Sequence, residues 1–195
     1  LKLYPPLQRN YPSKEHELTF AQPGVNENGG VFCHANTWAI IAECMLGNNN
    51  EAYKIYKELI PHNIVKKFGV EKYNAEPYIY SSNIRAPMAL DAGQAGVSWL
   101  SGTASWMMIA LEEYIFGVKP CYNGLKIKPC IPDEWEKATV KRYFRGCEYT
   151  IEIDNSAACG NTVKEIYLDG KKFNGEYILS SAQTASVKII MGRNE

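Results

Sequence analysis

Residues 98–118 read Ser98-Trp-Leu-Ser-Gly-Thr-Ala-Ser-Trp-Met-Met-Ile-Ala-Leu-Glu-Glu-Tyr-Ile-Phe-Gly-Val118. From Trp99 to Phe116 the stretch is strongly apolar at helical spacing, and it predicts a helix that Gly117 closes. At Val118 the texture changes. Lys126–Ile131, Thr139–Phe144, Glu148–Asp154, Thr162–Leu168, Glu176–Leu179 and Ser186–Met191 each have strand character. Glu148-Tyr-Thr-Ile-Glu-Ile-Asp154 alternates with period 2. Leu168-Asp-Gly-Lys-Lys carries the Asp-Gly pair of a two-residue hairpin. Short strands separated by turn signals point to a small antiparallel β-sandwich.

Upstream the pattern is helical. Residues 31–46 carry little charge, with Trp38, Ile41, Ala42 and Met45 at i, i+3, i+4 and i+7, and predict a largely buried helix. Gly47-Asn-Asn-Asn50 ends it. Residues 50–60 predict an amphipathic helix, with Ala52, Ile55, Tyr56 and Leu59 inward and Lys54, Lys57 and Glu58 outward. Residues 1–27 are Pro-rich and predict an irregular arm; 61–97 read as mostly irregular. The chain is therefore α+β, with a helical part over 1–117 and a β domain over 118–195.

The chain has 195 residues, 46% of them hydrophobic, with 21 basic against 21 acidic side chains. That balance speaks against a broad basic field for nucleic acid or a membrane surface. No apolar run reaches membrane-spanning length. The six cysteines, at 33, 44, 121, 130, 147 and 159, include no C-x-x-C pair. They read as reduced thiols of a cytoplasmic protein, and no metal site is expected. Cys33 lacks an orienting third group for a nucleophile.

Two segments place polar side chains and an indole at the mouth of an apolar helix. Asn28–Trp38 (Asn-Gly-Gly-Val-Phe-Cys-His-Ala-Asn-Thr-Trp) offers His34, Asn36 and Thr37. Ser98–Trp106 offers Ser101, Thr103 and backbone amides freed of bulk by Gly102. Helix N-termini carry unpaired N–H groups and partial positive charge, so such mouths suit a phosphate. Indoles nearby are suited to the apolar face of a sugar ring. Other readings stand beside these: His34 as a structural residue, Ser101-Gly102-Thr103 as a helix cap, Trp99 and Trp106 as core residues sharing a helix face.

Asn26-Glu-Asn-Gly-Gly-Val-Phe-Cys-His34, Glu76-Pro-Tyr-Ile-Tyr80, Ser98–Trp106, Gly124-Leu-Lys-Ile-Lys-Pro-Cys-Ile-Pro132 and Phe144-Arg-Gly146 occur in this order. The run resembles the C-terminal part of the inverting disaccharide phosphorylases of glycoside hydrolase family 94, the cellobiose, laminaribiose and diacetylchitobiose phosphorylase group. The resemblance implies that 1–117 is the last segment of an (α/α)6 barrel and that 118–195 is the C-terminal β domain. It implies phosphate binding by His34, Ser101 and Gly102, with Thr103 as a further candidate. It marks Glu27 and Glu76 in the substrate site, with Asn36 a residue-based candidate beside them. For Glu27 it implies a hydrogen bond to a sugar hydroxyl near the acceptor subsite; by residue type alone it is equally a general acid, a base or a solvated carboxylate. Glu76 reads as a buried carboxylate paired with backbone amides. Arg145 reads as a clamp at the domain junction. Phe20-Ala-Gln-Pro-Gly24 stands where the family usually has Tyr-Pro-Pro-Gly, and Asn26 replaces a frequent Lys, which leaves the acceptor sugar open.

An inverting phosphorylase uses phosphate as the nucleophile, so one carboxylic acid suffices to protonate the leaving oxygen. The family's acid is an Asp upstream of the segment represented here. Asp91, Asp133, Asp154 and Asp169 do not match its motif. The expected partners are a β-linked disaccharide such as cellobiose, inorganic phosphate as co-substrate with no other cofactor, the missing N-terminal part of the barrel, and a second copy in a homodimer. Alone, the chain is expected to be inactive: a fragment, one chain of a split enzyme, or a degenerate gene product. The alternative is a non-catalytic carbohydrate- or phosphate-binding remnant.

Overall fold

The computed structural model describes residues 22–193. They form two compact units. One comprises residues up to Ile40 with Lys54–Met108; the other comprises Ile41–Tyr53 with Ile109 onward. Most of the Pro-rich arm lies outside the described residues.

β1 (Val31–Phe32) leads directly into α1 (Cys33–Leu46), which belongs to the first unit up to Ile40 and to the second from Ile41. The helix buries Cys33, Asn36, Thr37, Ile40 and Cys44, a stripe at i, i+3, i+4, i+7 and i+11. This corrects the face read from the sequence. Trp38 is 53% exposed, and Met45 and Ala42 are exposed too. An apolar helix offers two plausible stripes, and here the narrower side chains took the interior. α2 (Asn49–Leu59) keeps its expected orientation, with Ala52 and Leu59 buried and Lys54 and Glu58 in solvent.

Residues 61–97 are more regular than their Pro and Gly content suggested. Pro61 occupies the first turn of α3 (Pro61–Phe68), where a missing N–H costs nothing. Gly69 caps α3 at φ 89°, and its N–H bonds the Val65 carbonyl. α4 (Val70–Tyr73) ends at Asn74 in the left-handed region. Ile64, Tyr73 and Ala95 form a small core, with Val65, Ala75 and Ile84 against it. β2 (Asn83–Ile84) pairs antiparallel with β1, Phe32 opposite Asn83. The Cys33 N–H then bonds the Ser82 carbonyl at 2.9 Å. That two-stranded clip fixes where α1 begins.

The segment read as one helix from Trp99 starts later. α5 spans Thr103–Ile109 and continues as a π-helical stretch over Ala110–Ile115. Trp99 stands outside it with φ +66°, a conformation no α-helix accommodates.

In the second unit the first strand is β3 (Val118–Cys121), followed by β4 (Gly124–Ile127). Gly117 precedes β3 at φ +65°; a Cβ there would meet the Lys128 carbonyl oxygen at 2.0 Å, so the position requires glycine. β5 (Lys137–Phe144), β6 (Cys147–Asp154), β7 (Val163–Leu168), β8 (Lys171–Phe173), β9 (Tyr177–Ile178) and β10 (Thr184–Met191) complete the set. β3, β4 and β9 form one sheet; the other runs β5-β6-β10-β7-β8. All pairings are antiparallel except β6 with β10. Cys147, Tyr149, Ile151 and Ile153 on β6 share the buried face with Ala185, Val187, Ile189 and Met191 on β10. The period-2 pattern dictates this face.

Asp169-Gly170 forms the expected hairpin, with φ 49° and 76°. Arg145-Gly146 forms a second one between β5 and β6, with φ 50° and 84°. Arg145 thus occupies a turn, its guanidinium over the rings of Phe144 and Tyr122. The mixed α and β content is as expected, and the small sheets are mainly antiparallel.

The Asn run at 48–50 anchors within this unit. Asn49 Nδ2 donates to the Ile131 carbonyl at 2.8 Å and to Asp133 at 2.7 Å, and Asn50 Nδ2 donates to Asp133 at 2.8 Å. Burial works to raise the Asp133 carboxyl, but the Asn50 and Asn49 amides and the Gly160 N–H outweigh it and hold its pKa below the usual value. A depressed folded-state pKa contributes stability above the unfolded value, about 3.9, and loses it as pH falls through the folded one. Asp133→Ala is expected to cost about 1 kcal/mol at pH 7, the low end for charged hydrogen bonds because the carboxylate is partly solvated. Urea unfolding of both proteins from pH 7 to pH 3 checks this: the difference shrinks as the pH drops below about 4.

Candidate functional site

His34 is in the first turn of α1, and Gly102 lies just before α5. The two meet face on. A Cβ on Gly102 would stand 2.8 Å from His34 Cε1, 3.2 Å from Nδ1 and 3.3 Å from Nε2. The imidazole therefore covers the glycine Cα, one residue from Ser101. The two segments meet at this pair, with the ring packed directly on the glycine.

Two indoles also lie close to the imidazole. Its ring centroid lies 5.1 Å from that of Trp38 and 6.1 Å from that of Trp106, and the two indoles are 6.1 Å apart. Packing on three sides fixes the ring plane. His34 Nε2 is buried and has no hydrogen-bond partner among the described residues. Leaving a buried ring nitrogen unpaired costs about 1–3 kcal/mol. The Thr37 hydroxyl donates to the His34 carbonyl at 2.6 Å, which secures the backbone under the ring.

Ser101 Oγ accepts the Thr103 N–H at 3.0 Å, a helix-capping bond. The Ser101 and Thr103 hydroxyls also bond each other. Thr103 is fully buried, and its Oγ1 lies 3.4 Å from the Ser81 carbonyl. Thr103 is thus inside the protein and orients Ser101, which is half-buried.

The remaining candidates stand apart from this cluster. Asn36 is 3% exposed, and its amide donates to the Phe32 carbonyl at 2.8 Å. Two residues along the helix put it on the inner stripe, about 200° round from His34. Glu27 is exposed on a tight loop closed by Asn28 N–H to the Val25 carbonyl and Gly30 N–H to the Asn26 carbonyl, both at 3.0 Å. Glu76 is not the buried carboxylate expected. It accepts the Trp99 indole N–H at 3.0 Å in an exposed setting, and that bond holds its pKa below the usual value. Trp99 itself is 67% exposed rather than core, and the sequence carried no signal for this pairing.

Elsewhere in the first unit, a cavity of about 610 Å³ is lined by Ile55, Leu59, Ile64, Phe68 and Ile84. Lys54, Lys57, Glu58 and Lys67 also stand on its wall, and His34 is not among its lining residues. The Cys33 thiol is buried and pushed up to about 11 by that burial, so it stays protonated. Among the described residues no His, Cys, Asp or Glu group is arranged to hold a metal ion, and no helix is long and apolar enough to cross a membrane. All six cysteines are free.

Gly102→Ala is expected to push the imidazole out of place, because 2.8 Å is closer than a methyl group and a ring carbon approach. Overpacking of this kind costs about 1–3 kcal/mol. The measurement is the His34 imidazole resonance together with phosphate affinity. Both change in Gly102→Ala, while Gly146→Ala, at an open turn, leaves them as they were.

A family model described as the catalytic domain of the glycosyl hydrolase 94 superfamily matches residues 1–117. The chain is 34% identical to a solabiose phosphorylase of Paenibacillus borealis, over 96% of this chain and 25% of that protein. It is 37% identical to an N,N'-diacetylchitobiose phosphorylase of Vibrio proteolyticus, over 89% of this chain and 21% of that protein. A 3-O-beta-D-glucopyranosyl-beta-D-glucuronide phosphorylase of Paenibacillus borealis is 30% identical over 87% of this chain and 22% of that protein. The chain spans about a quarter of the length of these relatives. With 117 of its 195 residues matched by the family model, the chain belongs to the glycosyl hydrolase 94 superfamily.

Proposed function

We propose that this chain is the phosphate-binding segment of an inverting disaccharide phosphorylase, residues 1–117 closing an (α/α)6 barrel and 118–195 forming its C-terminal β domain. The family is one of enzymes, and the phosphorylases among the relatives act on different disaccharides by name. The observation that carries the reading is His34 Nε2, buried and unpartnered beside Ser101 and Gly102.

In the proposed reaction a phosphate oxygen attacks the anomeric carbon from the face opposite the glycosidic bond. The C–O bond to the departing sugar breaks with inversion, and the departing oxygen takes a proton from an acid, giving an α-sugar 1-phosphate and a free sugar. His34 Nε2–H, the Ser101 hydroxyl and the Gly102 N–H hold the phosphate oxygens and aim the nucleophile. When phosphate binds, the Ser101 hydroxyl turns its proton from Thr103 Oγ1 to a phosphate oxygen, while Thr103 donates to the Ser81 carbonyl. Thr103 supports the site rather than touching phosphate. Glu27 contributes from its exposed loop to a sugar hydroxyl; Asn36 shapes the base of α1. The acid comes from upstream sequence, and the substrate is a β-linked disaccharide of the cellobiose type. The assembled enzyme is a cytoplasmic homodimer.

Titration of the chain with inorganic phosphate, read through the His34 Hε1 resonance, tests the site. The resonance missing from His34→Gln assigns the signal, and a saturable shift of it that is lost in Gly102→Ala supports the site. A resonance unmoved by phosphate refutes it.

A further inference from the structure

Trp99 combines three features that core packing does not explain. Its φ of +66° is rare for a bulky residue, and its indole is 67% exposed. Its one polar atom is engaged: Nε1–H donates to Glu76 Oε1 at 3.0 Å. The backbone on both sides is held. The Ser82 N–H bonds the Val97 carbonyl at 2.8 Å, Ser98 bridges Ser81, and Ser101 caps α5. The strained residue is therefore over-determined by its neighbours, as strained backbone at ligand sites is. Its ring stands in the open with its edge fixed and its faces uncovered by the described residues.

We infer that Trp99 is a stacking platform for a pyranose ring of the disaccharide, and that Glu76 is a positioning residue that fixes the indole plane. This rests on the proposed phosphorylase reading. The axial C–H groups of a β-linked pyranose form an apolar face that matches an indole face, while the sugar hydroxyls point outward to water. The chain places the platform close to the phosphate cluster: two residues, Leu100 and Ser101, separate Trp99 from Gly102, at most about 11 Å of backbone. A carboxylate acceptor for the indole N–H, rather than water, holds one ring orientation without covering either face. Glu76 thus acts on the sugar through Trp99.

Indole N–H resonances of the chain labelled with nitrogen-15 test this directly. The Trp99 signal is the one missing from Trp99→Phe. Cellobiose and diacetylchitobiose are titrated separately to about 100 mM, a hundredfold above a millimolar Kd. The expected result is a saturable shift of the Trp99 signal with at least one of these sugars and none with inorganic phosphate. Trp99→Ala lowers the affinity at least about tenfold. Glu76→Ala lowers it too and moves the Trp99 signal upfield, while Glu76→Gln, which keeps an acceptor oxygen, restores most of both. If neither sugar moves the Trp99 signal, or Trp99→Ala binds as tightly as the parent chain, the inference falls. Phosphate binding at His34 is read from a different nucleus with a different ligand, so either result stands without the other.

Discussion

Replacing His34 by Ala in an assembled barrel lowers kcat/KM for phosphate by about 10²–10³-fold, the cost of removing one preorganised donor to an oxyanion. The disaccharide KM stays within a few-fold of its starting value. The asymmetry follows from position. The imidazole lies over Gly102 next to Ser101 in the chain, with Trp38 and Trp106 also close to it. Removing it leaves a gap on the phosphate side and takes no hydrogen bond from the loop carrying Glu27 or from the Glu76–Trp99 pair. His34→Gln keeps an N–H donor on a flexible stem, so its loss is smaller than that of Ala. Initial rates at varied phosphate and fixed disaccharide, then the reverse, separate the two constants. Equal loss in both would make His34 a packing residue of the α1 terminus. Unchanged phosphate dependence would remove it from the site.

The donor cluster was legible in the sequence because it is made of local signals. A His in the first turn of one helix and a Ser-Gly-Thr at the mouth of another are motifs a few residues long. The glycine between two hydroxyl residues marked a close approach, and the His34 ring supplies it. The strands were legible for the same reason: Glu148–Asp154 alternates strictly, and Asp169-Gly170 names its own turn. What failed were features decided at a distance. The buried stripe of α1 runs through Cys33, Asn36, Thr37, Ile40 and Cys44, two of them polar, while the larger Trp38 and Met45 are exposed. Asn36 is tolerated inside because its amide returns to the Phe32 carbonyl, a bond composition does not announce. Trp99 and Trp106, seven residues apart, promised one helix face; the capping bond from Ser101 starts the helix after Trp99 and leaves that indole to Glu76. Pro61 and Gly69 looked like breaks and instead start and end a helix. Arg145 had no turn signature to match Asp169-Gly170, because a positive φ at Arg is imposed by the β5–β6 register rather than by its own preference.

The 195-residue chain by itself is expected to release no sugar 1-phosphate from cellobiose, laminaribiose or diacetylchitobiose in the presence of phosphate. The carboxyls placed near enough in sequence to the phosphate cluster to serve as the acid are each unsuited to it. Glu76 has its pKa lowered by the Trp99 N–H, so it is ionised at neutral pH and has no proton to give. Asp91 is ion-paired with Arg85. Glu27 sits exposed on its loop, where water surrounds the carboxyl. Without an acid the departing sugar leaves as an alkoxide, a loss of about 10²–10⁴-fold. Without the rest of the barrel the orientation of donor sugar against phosphate is lost as well, on the order of 7–11 kcal/mol. The two together put turnover below detection. Supplying the upstream part of the barrel as a separate polypeptide restores it if that part carries the acid. The assay is phosphate-dependent release of sugar 1-phosphate with the chain alone, with the added part, and with the added part plus His34→Ala. Release by the chain alone would move the acid into this sequence. Glu27 would be the first residue to replace, since Glu76 is engaged by an indole and Asp91 by a guanidinium.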